Sequence, residues 1–110
     1  MGTRKKIYSS KEKDIEISIT AEITDGKLMI SDLSGGKLTS ELMGSNFAEH
    51  YLSLDKANTK KLFKELKVPT KSEGEQLVVV KEKFGKNTAI AELEDYCERH
   101  SIETSSFVYP

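Results

Sequence analysis

The stretch DIEISITAEITDGKLMISDL, residues 14–33, decides the fold. In its first half Ile15, Ile17, Ile19, Ala21 and Ile23 alternate with Asp14, Glu16, Ser18, Thr20, Glu22 and Thr24. That period of two is the pattern of a strand with one wet face. Asp25-Gly26 follows, a dipeptide that tolerates positive φ and so suits a two-residue hairpin turn. Lys27 to Leu33 then reads as the return strand. The hairpin needs a cover over its isoleucine face, and the rest of the chain must supply it.

Downstream, Ser34-Gly35-Gly36-Lys37 breaks the pattern, Leu38 to Asn46 is irregular, and Phe47 to Leu54 reads as a third strand. Asp55 stands where an N-cap belongs, with Thr59, Leu62, Phe63 and Leu66 at helical spacing behind it and Pro69 as the stop. Ser72 and Glu75 have capping-box spacing ahead of Leu77, Val78, Val80 and Phe84. The run Val78 to Val80 also fits a strand; the preceding cap and the uninterrupted Lys81-Glu82-Lys83 favour a helix. Gly85 closes it, and Asn87 is placed to cap a further helix whose apolar face is Ala89, Ile90, Leu93, Tyr96 and Cys97. Ile102 to Tyr109 is rich in β-formers and reads as a last strand. The expected architecture is one α+β domain over residues 1–110. Its antiparallel sheet comprises the hairpin, the third strand and the last strand, with about three helices on one face.

The chain's 110 residues suit a single core. Hydrophobic residues make up 36%, charged residues 32%, and 17 bases against 18 acids leave a net charge of −1. That balance argues against both a strongly basic nucleic-acid binder and a strongly acidic mimic. One cysteine makes neither an internal disulfide nor a cysteine-based zinc site. The polar, basic start Met1 to Lys6 is followed by no apolar run of secretory type, and the longest apolar stretch, Leu77 to Val80, is far short of a membrane span. A cytoplasmic protein with no membrane contact is the expectation.

No motif carries chemistry. The loop at Ser34 to Lys37 lacks a phosphate loop's glycine spacing, since Ser31 and Leu38 occupy positions that need a glycine and a hydroxyl. Cys97 and His100 share a helix face, as a nucleophile and its base must, but Cys97 lies on the apolar stripe, where a small buried thiol is the ordinary occupant. His50 and His100 have no second ligand at metal spacing, and Glu92, Glu94, Asp95 and Glu98 lie largely on the polar side of their helix. The chain reads as non-enzymatic, with no catalytic residue, metal or cofactor.

Charge segregation is the more informative signal. Residues 1–13 carry +4, residues 14–55 carry −6, residues 56–86 carry +5 and residues 87–110 carry −4. Glu16 and Glu22 on the wet side of the first hairpin strand, with Asp25 at the turn, make an acidic sheet surface the favoured protein-binding site. Lys60, Lys61, Lys64 and Lys67 make the alternative, a lysine-rich helix contacting nucleic acid, helped by Arg4, Lys5 and Lys6.

Lys83-Phe84-Gly85-Lys86-Asn87, then Leu93, Tyr96-Cys97, His100, Ile102 and Phe107-Val108-Tyr109, resembles a pattern of small uncharacterised bacterial α+β proteins. In those proteins an Asp-capped helix precedes a helix, a glycine break, another helix and an aromatic-ended strand. Some of them resemble immunity proteins, which bind and neutralise a partner toxin. The resemblance covers about half the chain and implies a binding role, with no residue roles to carry over.

Overall fold

The computed structural model describes residues 2–12, 15–35, 47–68 and 72–109. Five strands form one antiparallel sheet in sequence order: β1 (Thr3–Glu12), β2 (Ile15–Thr24), β3 (Lys27–Gly35), β4 (Phe47–Ser53) and β5 (Ser105–Tyr109). Between β4 and β5 the chain makes three helices, α1 (Lys56–Glu65), α2 (Glu73–Phe84) and α3 (Ala89–Arg99). The α+β architecture with an open antiparallel sheet is as the sequence leads one to expect. Residues 77–84 are helical.

The β2–β3 hairpin turns at Asp25 and Gly26, both at positive φ (53° and 76°), and Thr24 pairs with Lys27. Ile19, Ala21 and Ile23 of β2 meet Leu28 and Ile30 of β3 and Leu52 of β4 in the core. Leu62 and Phe63 of α1, Leu77, Val80 and Phe84 of α2, and Ile90, Leu93 and Cys97 of α3 close it from above. Ile17 is only half-buried at its margin. The helices pack over β1 to β4, α2 across β1 and β2, α1 on β3 and α3 on β4.

β1 is the element the sequence reading misses. It pairs with β2 along its whole length, with an irregularity between Lys6 and Tyr8 that leaves Ile7 without a register partner. The bulge brings two consecutive residues inward: Ile7 is 2% exposed, and Tyr8 packs against the same cluster. The last strand begins at Ser105 rather than at Ile102, because Ile102 belongs to the end of α3. At the start of α3 the N-cap is Thr88 rather than Asn87, and the Thr88 hydroxyl donates to Glu92 Oε2 (2.7 Å) instead of capping an amide. The irregular segment Leu38 to Asn46 lies outside the described residues.

Two helices end alike, and both carry strain. After α1, Lys67 sits at φ 58° while the Val68 amide donates to Phe63 O and the Lys67 amide to Lys64 O. After α3, Ser101 sits at φ 57° while the Ile102 amide donates to Cys97 O and the Ser101 amide to Glu98 O. This is the Schellman closure, whose left-handed position favours glycine. Side chains with a Cβ cost about 1–2 kcal/mol there, part of which glycine's greater unfolded entropy cancels. Lys67→Gly and Ser101→Gly are each expected to stabilise the domain by about 0.5–1 kcal/mol. Chemical denaturation reads the effect, and a loss of stability in both variants would show that the terminal turns are set by side-chain contacts.

Candidate functional site

At the turn end of the sheet, three segments distant in sequence meet around a cleft of about 600 Å³. They are the β2–β3 turn, the β4–α1 junction and the approach to β5. Their meeting is built by two buried polar residues of α1. Thr59 Oγ1 accepts the Leu28 amide (3.0 Å) and donates to Leu54 O, tying α1 to β3. Asn58 Oδ1 accepts the Glu103 amide (3.0 Å), while its Nδ2 donates to Asp55 Oδ1 (2.9 Å). Asp55 Oδ1 also accepts the Asn58 amide (2.8 Å), the N-cap that the sequence places there. These hydrogen bonds hold the Asp55 carboxyl below the ordinary carboxylate range, the Asn58 amide contributing most. Gly26 lets the turn lie against the aliphatic stem of Lys56.

The lining includes Glu22, Asp25, Asp55 and Glu103 as acids, with Lys27 as the base, over Leu28, Met29 and Leu54. With Glu22 paired to Arg4, Asp25, Asp55 and Glu103 stand against Lys27, an acidic excess that fits a cationic side chain. Its alkyl stem lies along the partly exposed Met29 while its head reaches the acids. Among the described residues no group of three His, Cys, Asp or Glu side chains is placed to hold a metal ion.

The structure therefore brings Glu22 and Asp25 together and leaves Glu16 apart. Glu16 lies six residues along β2, about 20 Å away at strand rise. The sheet face between them is also less acidic than β2 alone implies, because β1 lays its bases alongside. Arg4 pairs with Glu22 (4.0 Å between side chains), Lys6 stands opposite Thr20, and Lys11 opposite Glu16. Glu22 additionally accepts the Thr24 hydroxyl (2.9 Å). Sequence reasoning found Asp55 only as a cap and missed Asn58 and Glu103, whose contact joins positions 45 residues apart.

The lysines of the alternative reading are exposed. Lys60, Lys61 and Lys64 project from α1 opposite its buried Thr59, Leu62 and Phe63, and Lys67 follows at the left-handed terminal position. The exposed aromatic Phe107 stacks on Tyr51 (centroids 5.1 Å apart) in a register row with Ser31 and Thr20, on the sheet face away from the helices. The α1 lysines thus lie away from the stacked rings, whose row on the open face ends at Lys6 of β1.

Cys97 is fully buried, and burial, aided by the nearby Glu94 charge, pushes its thiol up to about 11. A thiol so placed is protonated at neutral pH and shielded from reagents. His100 is turned elsewhere, its ring over Tyr96 (centroids 4.3 Å) and its Nδ1 3.4 Å from Glu65 Oε2. His50 does have a carboxylate neighbour that the sequence conceals, since Asp32 is its register partner on β3. Burial raises the Asp32 carboxyl above its ordinary range, and the charge of His50 opposes the shift. Among the described residues no helix is long and apolar enough to cross a membrane. Comparison with protein-family models, curated proteins and solved structures finds no match to this chain.

Proposed function

We propose that this chain is a non-catalytic protein-binding module, of the immunity-protein kind, that receives a lysine or arginine side chain of its partner in the cleft between Asp25, Asp55 and Glu103. The observation that carries the reading is the cleft itself, where Asp25, Asp55 and Glu103 stand against Lys27 while Arg4 takes Glu22. The buried thiol and the diverted His100 supply no activated nucleophile, and the distance of Lys60, Lys61 and Lys64 from the Tyr51–Phe107 rings weighs against the lysine helix as a nucleic-acid platform.

The test is capture of partners from a lysate of the source organism on immobilised protein, read by mass spectrometry beside the doubly substituted Asp25→Asn, Glu103→Gln variant. A protein recovered by the native chain and reduced about tenfold or more on the variant supports the reading, a loss of about 1.4 kcal/mol or more. Recovery of nucleic acid without protein, falling steeply with salt and abolished by Lys60→Ala with Lys64→Ala, would sink it in favour of the lysine helix.

A further inference from the structure

The two edges of the sheet are built differently. β1 is protected in the ways edge strands usually are, by a bulge at Lys6 to Tyr8 and by Arg4, Lys5, Lys6 and Lys11 along its length. β5 has neither device. Ser105-Ser106-Phe107-Val108-Tyr109 carries no charge and no proline, and it pairs with β4 in unbroken register. Two of its large apolar side chains are exposed on opposite faces, Phe107 at 42% on the open face and Val108 at 62% on the helix side. The main helix packing falls on β1 to β4. Among the described residues, both faces of β5 thus leave apolar side chain for an incoming strand to cover.

We infer that β5 is a homodimerisation edge, two copies joining their sheets antiparallel about a two-fold axis near Phe107. Self-pairing is the operation this edge permits and the other forbids. Antiparallel pairing of β5 with itself sets Ser105 against Tyr109, Ser106 against Val108 and Phe107 against its own copy, with no charge facing a like charge. The same operation at β1 lays a row of bases against itself. At the junction the stacked Tyr51–Phe107 pair meets its symmetry mate, extending an aromatic ladder from one sheet into the next. The occupant is a second copy because the strand is its own complement, and the closed two-fold leaves no open end on which a fibre grows.

Sedimentation or light scattering of the full chain at about 100 µM, above the micromolar range of small interfaces, is expected to give twice the 12.3 kDa chain mass. Val108→Lys, at a position exposed in the folded subunit, is expected to return the mass to that of one chain with an unchanged circular dichroism spectrum. Arg4→Ser on the opposite edge is expected to leave the dimer intact. A native chain that stays monomeric at this concentration overturns the inference. So does a dimer that survives Val108→Lys, or one that Arg4→Ser disrupts.

Discussion

Ile19→Asp is expected to leave the chain unfolded at room temperature. Ile19 has no exposed surface, and its register partner on β3 is Asp32, whose carboxyl burial already pushes above its ordinary range. A second carboxylate in that row faces a like group across the strands and has no cation beside it, since Tyr8 is its other neighbour and His50 stands beyond Asp32. Burying an unpaired charge costs several kcal/mol, comparable to the whole stability of a domain this size, about 5–15 kcal/mol. Thr20→Asp, one residue along, points to the open face, where Lys6 stands opposite on β1. It is expected to change stability by less than about 1 kcal/mol. Circular dichroism melts of the pair decide the matter: the facing of β2 is wrong if Thr20→Asp is the more damaging change.

Gly85→Ala is the second large loss. Gly85 caps α2 where that helix ends against the β1 bulge, and its amide donates to Lys81 O (2.9 Å). A methyl group added there runs into the backbone carbonyl of Lys81 and lies 2.8 Å from the Ile7 carbonyl. Both obstacles are main chain, so relief requires moving the helix end off the sheet, at a cost of about 1–3 kcal/mol or more. Each kcal/mol is roughly 4–8 °C of melting temperature in a domain of this size. Gly74→Ala is the matched control. Its added methyl meets nothing nearer than Ser72 Oγ at 3.8 Å, and alanine is the better helix former, so a gain of up to about 1 kcal/mol is expected. Equal effects at the two glycines would remove close approach as the reason for Gly85.

What the sequence shows of this fold, and what it hides, follows from which interactions are local. The hairpin was legible because alternation and the Asp25-Gly26 turn are written in consecutive residues, as were Asp55 as a cap and the apolar stripes of α1 and α3. β1 was not legible, because a bulge spends its two apolar residues, Ile7 and Tyr8, side by side and so erases the period of two. Its remaining inward positions, Thr3, Lys5 and Ser10, are polar margins of the sheet. The start of β5 was set too early because Ser101 takes the left-handed turn without a glycine to mark it, leaving β-branched Ile102 to be mistaken for strand. In the cleft, Glu22 and Asp25 could be named from the hairpin alone. Glu103 could not, since it is brought there by the side chain of Asn58, 45 residues earlier. Glu16 belongs with them only while the wet face of β2 is uncovered, and the pairing of β1 sets Lys11 opposite it.

The insertion of α1, α2 and α3 between two adjacent strands has a kinetic consequence. β1 to β4 follow one another through short or moderate connections, so the sheet grows by nearest-neighbour steps. β5 must instead close the excursion of residues 54–104 before Ser105 can meet Ser53. Joining the ends of a flexible loop of about fifty residues costs about 3.5 kcal/mol on the (3/2)RT ln n scaling. Most of that closure is made at the Asn58 anchor on Glu103, which spans 45 residues and fixes the chain two residues ahead of β5. Helix docking is thereby made a precondition of sheet completion. A chain caught before that step presents the edge of β4, with its half-buried Tyr51, as the strand most open to pairing with the wrong partner.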